Sequence, residues 1–171
     1  SAIREILKAT QDPQVIPFAA GNPDASSFPV DEVKRISAEI FETAPITALQ
    51  YGVTEGYKPL IDRLTAFVKD RYNIGKDFDS LIISSGAQQV MDLATKALCD
   101  LGDTVICECP SFIGSLNCFR SYGCKLAGVP VEADGMNIEA LENAIKTAEN
   151  PRFIYTIPNF QNPSGATMSL E

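Results

Sequence analysis

The chain has 171 residues, of which 45% are apolar and 21% charged, and its net charge is −8. That length carries one ordinary domain with a real core, and the balance excludes disordered and fibrous classes. A negative chain without a basic cluster argues against nucleic acid as a partner, and apolar runs far below the roughly 20 residues a bilayer requires argue against a membrane span.

Ile3, Ile6 and Leu7 mark a short amphipathic helix that lacks a signal peptide's apolar centre, so a cytoplasmic protein is expected. Residues 15–29, "VIPFAAGNPDASSFP", read as an extended arm with turn residues, and Val33, Ile36, Ile40 and Phe41 mark a second helix. Leu60, Leu64, Phe67 and Val68 predict a longer amphipathic helix from Glu55 to about Tyr72. The rhythm then changes. "LIIS" (81–84) reads as a short buried strand, followed by a helix from about Ala87 to Leu101. "TVICEC" (104–109) is the next strand, followed by a helix from about Ser111 to Tyr122 that Gly123 ends. "KLAGVPV" (125–131) is a third strand, Asn137 caps a helix running to about Glu149, and "RFIYTI" (152–157) is a fourth strand. Strands alternating with helices of this length predict an α/β fold, a parallel sheet covered on both faces. Ligands of such sheets bind beyond the carboxyl ends of the strands.

The chain holds no histidine, which excludes Ser-His-Asp and Cys-His nucleophile pairs. Cys99, Cys107, Cys109, Cys118 and Cys124 form no C-x-x-C pair, so no metal site is expected. Cys107 and Cys109 share one face of their strand and read as small buried residues. Chemistry without histidine points to a cofactor.

Three strand ends carry unusual sequence. After "LIIS" comes "SSGAQQ", where Gly86 permits a tight turn and the amides opening the next helix have the geometry that binds a phosphate. Ser84, Ser85 and Gln88 would add donors, although such a turn also serves as a plain helix cap. After the second strand comes "CPSFIG", in which Phe112 reads either as core or as a stacking platform. After the fourth comes "PNFQNPSG" (158–165), whose prolines, asparagines and glycine suit an ordinary connection or a turn that faces a ligand.

Taken in order, "PFAAGNPDASSFP", "LQYGVTEGYKPLIDRL", "SSGAQQVMDLATKAL", "CPSFIG" and "QNPSG" resemble the pyridoxal-phosphate-dependent aminotransferases of fold type I, class I/II. The resemblance is closest to the subgroup of 2-aminoadipate and kynurenine aminotransferases and the aminotransferase-like domains of MocR-type regulators. It implies part of an aspartate aminotransferase-like large domain, with a mostly parallel sheet flanked by helices and an N-terminal helical arm. Residues 1–50 would be the arm and a small-domain segment, and 51–171 the first part of the cofactor-binding domain. Carried over position by position, Gly86, Ala87 and Gln88 would hold the cofactor phosphate, with Ala87 standing where many relatives have serine. Phe112 would stack on the pyridine ring, and Asn162 would donate to the ring's phenolic oxygen. Tyr51 would reach across a homodimer interface to the partner's cofactor phosphate, and Gly21 and Asn22 would close, with Asn162, over the substrate carboxylate. The implied reaction moves an amino group between an amino acid and a 2-oxo acid.

In that family the Schiff-base lysine, the aspartate that pairs with the pyridine nitrogen and the substrate-binding arginine lie downstream of the Asn-Pro motif. The chain is therefore expected to be a fragment that holds no catalytic residue, is inactive alone and binds pyridoxal phosphate weakly at best. None of its eight lysines falls beside the expected ring position. The family's strand order also leaves the first strand at a far edge, so the four strands are not expected to form one continuous sheet. An alternative reading is the effector-sensing domain of a MocR-type transcription regulator. At least one of the Cys109-Pro110 and Asn162-Pro163 bonds is expected to be cis.

Overall fold

The structure, a computed structural model, describes residues 14–16 and 23–170. The helix expected at residues 3–7 and the arm positions Gly21 and Asn22 lie outside them. The chain divides into two compact units, Ser1–Gly52 and Val53–Glu171.

In the first unit a 3-10 turn at Ala25–Ser27 precedes helix α1 (Val30–Thr43) and the short helix α2 (Pro45–Leu49). Asp24 caps the turn by accepting from Ser26 N at 2.7 Å. Asp31 and Glu32 occupy the first turn of α1, where the helix dipole favours negative charge. Helix α2 begins on Pro45, a residue preset for a first turn.

The second unit runs α3 (Lys58–Tyr72), α4 (Ala87–Leu98), β1 (Thr104–Cys109), α5 (Ile113–Ser121), β2 (Lys125–Glu132), β3 (Gly135–Met136), α6 (Ile138–Thr147) and β4 (Pro151–Tyr155). The sheet order is β3-β2-β1-β4, with β1 parallel to both β2 and β4. Alternation along β1 sends neighbouring side chains to opposite faces. Val105 packs with Cys118, Phe119 and Cys124 under α4 and α5, whereas Ile106 packs with Val129 and Met136 against Ala140, Leu141 and Ala144 of α6. Helices therefore cover both faces, as the apolar β1 sequence requires.

The structure departs from the sequence reading at several points. Residues 81–84 form no ladder. The amide of Ile83 donates to Glu55 O at 2.9 Å, and Ile82 is 63% exposed. A strand exists by pairing, and among the described residues this run has no neighbouring strand. Strand β4 stops at Tyr155 rather than at residue 157, because the amide of Ile157 donates to the carboxylate of Glu108 instead of a ladder carbonyl. Helix α4 stops at Leu98 rather than Leu101, since Cys99 is already extended. The hairpin that adds β3 antiparallel to β2, through Val131↔Met136 and Glu132↔Gly135, has only Asp134-Gly135 as a local signal. Cys107 is buried as expected, but Cys109 is exposed, because it ends β1 where the helical cover stops. Both Cys109-Pro110 and Asn162-Pro163 are cis. Among the described residues no helix is long and apolar enough to cross a membrane.

Candidate functional site

The carboxyl ends of β1 and β4 lie at the same end of the sheet because the two strands are parallel neighbours. The chain leaving β1 passes through Pro110 to Phe112, and the chain leaving β4 passes through Thr156 to Asn162. The N-terminus of α4 completes the group. A cavity of about 620 Å³ opens between them, lined by Ala87, Val90, Met91 and Ala94 of α4, by Phe112 and Phe119, by Phe153, Tyr155 and Ile157, and by Asn162. Its volume suits a small-molecule ligand.

Three of the residues singled out from the sequence, Ala87, Phe112 and Asn162, thus line one cavity. Ala87 opens α4, Phe112 follows β1 and Asn162 follows β4. Gly86 stands before α4 at φ 86°, a conformation that glycine adopts at no steric cost. Its carbonyl accepts from the amides of Gln89 and Val90 at 3.1 and 3.3 Å, and Ser85 N donates to Gln89 Oε1 at 2.6 Å. The amides of Ala87 and Gln88 are left over at the positive end of the helix dipole, where an anion is favoured.

Phe112 is held in place by contact. It occupies the N-cap position of α5, and Gly114 two residues later has no side chain to obstruct it. A Cβ on Gly114 would fall 2.5 and 2.7 Å from Phe112 ring carbons and 3.1 Å from Gln88 Oε1. Gln88 Nε2 in turn lies 3.5 Å from Gly114 O, the outer limit of a hydrogen bond. Gln88 and Phe112 therefore meet over Gly114, which brings the helix turn and the aromatic loop together.

The floor is a packed aromatic group. Phe119, 1% exposed, meets Phe153 and Tyr155 edge-on at centroid distances of 5.6 and 5.4 Å. Ser115 Oγ, fully buried, donates to the Tyr155 hydroxyl at 2.7 Å.

Behind the wall lies a polar network that the sequence reading did not single out. Glu108, 3% exposed, accepts from Thr156 Oγ1 at 2.6 Å, from Ile157 N at 3.2 Å and from Gln161 Nε2 at 2.9 Å. Gln161, also 3% exposed, donates in addition to Pro110 O at 2.9 Å and accepts from Ser164 N through Oε1 at 2.8 Å. The available signal was an acid inside the apolar strand "TVICEC". A carboxylate at a buried strand position must be hydrogen-bonded there.

Tyr51 belongs to the first unit and is 98% exposed, its amide donating to Gln50 Oε1 at 2.9 Å. None of the described lysines lines the cavity. Lys125, at the opposite end of β2, pairs with Glu149, and Lys58 and Lys146 pair with Asp62 and Glu142 on their own helices. Among the described residues no group of three or more His, Cys, Asp or Glu side chains is placed to hold a metal.

Residues 13–171 match the family model for aminotransferase class I and II. The chain is 41% identical over 170 residues to a 2-aminoadipate transaminase of Thermus thermophilus, covering 99% of this chain and 41% of that protein. It superimposes with a TM-score of 0.92 and 35% identity on the crystal structure of a kynurenine aminotransferase from Pyrococcus horikoshii, over 99% of this chain and 43% of that one. It is also 33% identical, over 98% of its length and 36% of the relative's, to an uncharacterised HTH-type transcriptional regulator of Escherichia coli, YdcR. The chain spans about two fifths of the length of the first curated relatives it matches.

Proposed function

Since this chain belongs to the class I and II aminotransferases, we propose that the whole protein that carries it transfers an amino group between an amino acid and a 2-oxo acid with pyridoxal phosphate as cofactor. The observation that carries this reading is the convergence of Ala87, Phe112 and Asn162 on one cavity at the carboxyl edge of the sheet. The residues fit the group in its three parts: two helix-end amides for the phosphate, an aromatic face for the ring and a carboxamide for the ring oxygen.

When bound, pyridoxal phosphate supplies an electron sink for the carbanion formed at the substrate's α carbon. Binding and orientation fall to this chain. The amides of Ala87 and Gln88, with the Gln88 side chain, hold the phosphate at the end of α4. Gly86 gives the turn that exposes them. Phe112, backed by Gly114, fixes the plane of the ring. Asn162 would donate to the ring oxygen of the bound cofactor. Gly21 and Asn22 close over the substrate carboxylate. Tyr51 serves the phosphate of a partner subunit, which makes the protein a homodimer with composite sites, in the cytoplasm.

By itself the chain is inactive and retains the cofactor weakly, a reading supported by the absence of any described lysine from the cavity lining. An aminotransferase-like sensing domain of a MocR-type regulator is the second reading, favoured by the match to YdcR. The test is to purify the whole protein, record its visible spectrum and assay exchange of isotope-labelled amino groups with 2-oxo acids. A cofactor band with turnover supports the first reading. A band without turnover, on a protein that carries a winged-helix domain, favours the second. Absence of any cofactor band overturns both.

A further inference from the structure

Gln161 commits both side-chain donor hydrogens and its side-chain acceptor at a junction. Its two Nε2 hydrogens go to Glu108 Oε2 and Pro110 O, both at 2.9 Å, and Oε1 accepts from Ser164 N at 2.8 Å. Its backbone amide donates to Ala166 O at 2.8 Å, and its carbonyl accepts from Gly165 N at 2.6 Å. The bonds join the end of β1 to the turn after β4. Pro110 leads to Phe112, while Ser164, Gly165 and Ala166 form the far side of the turn that presents Asn162.

Glu108 makes the junction rigid. One carboxylate oxygen takes the Thr156 hydroxyl and the other takes Gln161, while Ile157 N spans both at 3.3 and 3.2 Å. A carboxylate buried to this degree must be satisfied by donors, and all of these lie on the chain leaving β4. The backbone between them is not relaxed. Phe160, 82% exposed, sits at φ 50° in the left-handed region, which costs a non-glycine residue on the order of 1 kcal/mol. The Phe160 amide donates to Thr167 Oγ1 at 3.2 Å and Met168 N donates to Pro158 O at 2.7 Å, so these bonds and those of the neighbouring Gln161 together hold the loop in that conformation.

We propose that Gln161, anchored by Glu108, is a positioning residue that fixes the Phe112 loop against the Asn162 turn and thereby sets the strength of the Asn162 hydrogen bond to the cofactor ring. The inference rests on the pyridoxal phosphate reading. Neither residue lines the cavity, so their effect is transmitted through the loops they join.

The test uses the whole protein with bound pyridoxal phosphate and compares wild type, Gln161→Met, Gln161→Glu and Asn162→Ala. Gln161→Met keeps the volume and removes every side-chain bond, whereas Gln161→Glu keeps the shape and the Ser164 acceptor, shares a proton with the adjacent buried Glu108 carboxyl and loses the donor to Pro110 O. The readouts are the pH midpoint of the cofactor's visible band and hydrogen exchange at the Ser164 amide in cofactor-free protein. We expect both Gln161 variants to move the midpoint in the direction that Asn162→Ala moves it. We expect the Gln161→Met/Asn162→Ala double variant to move it no further than Asn162→Ala alone. The Ser164 amide should exchange at least tenfold faster in Gln161→Met. If Gln161→Met fails to fold, Gln161→Glu gives the same reading. Folded variants with a wild-type midpoint overturn the proposal, as does a double variant whose shifts simply add. A wild-type protein without a cofactor band instead removes the pyridoxal phosphate reading, and this proposal with it.

Discussion

Arg152 Nε donates to Asp103 Oδ2 across 2.6 Å and ties the start of β4 to the turn that enters β1. The same oxygen accepts from Asp100 N at 2.7 Å, and Asp103 is only 3% exposed. This end of the sheet is opposite the cavity, so the pair belongs to folding rather than to ligand binding. The Asp100 amide first, and Arg152 second, hold the Asp103 carboxyl below its ordinary value near 4.

A lowered folded-state value means that the carboxylate stabilises the fold fully above its unfolded value and loses that contribution as pH falls through the lower folded one. We therefore expect wild type to lose stability on acidification below about pH 4 more steeply than Asp103→Asn, and to be the more stable of the two at pH 7. Urea midpoints at both pH values check this. Parallel acid profiles would show that Asp103 contributes nothing.

Phe119→Ala removes the ring under both Phe153 and Tyr155. Large aromatic truncations in a packed core cost about 3–5 kcal/mol, and the loss here should fall in that range. Equilibrium denaturation measures it. A cost below about 1 kcal/mol would mean that the aromatic floor collapses to fill the space.

Gly114→Ala should act on the cofactor more than on the fold. The new Cβ displaces the Phe112 ring, and because such aromatic contacts are worth about 0.5–1.5 kcal/mol, pyridoxal phosphate affinity should fall about 2- to 10-fold. Fluorescence titration of the cofactor-free whole protein reads this directly. Unchanged affinity would remove Phe112 as the stacking platform.

Tyr51→Phe tests the composite site. Loss of one hydrogen bond to a charged phosphate is worth about 1.5–3 kcal/mol, so cofactor affinity in the whole protein should drop about 10- to 100-fold with the dimer intact by sedimentation. An unaltered affinity would show that Tyr51 does not reach a partner's cofactor.

Much of the fold could be read from the chain because its signals are local. Short apolar runs such as "TVICEC" and "KLAGVPV", the Asn137 cap and the 3.6-residue periodicity of the helices depend only on neighbours a few residues away. The turn at Gly86 and the ring at Phe112 were visible for the same reason. Whether "LIIS" becomes a strand was not a local matter, since pairing needs a partner that the run itself does not contain, and the tertiary structure leaves it unpaired. The Glu108–Gln161 junction was likewise hidden. It joins residues 53 positions apart, and in the sequence neither marks the other. Only the parallel pairing of β1 with β4 brings their ends together, and burial there turns an ordinary glutamate and glutamine into groups that must satisfy each other.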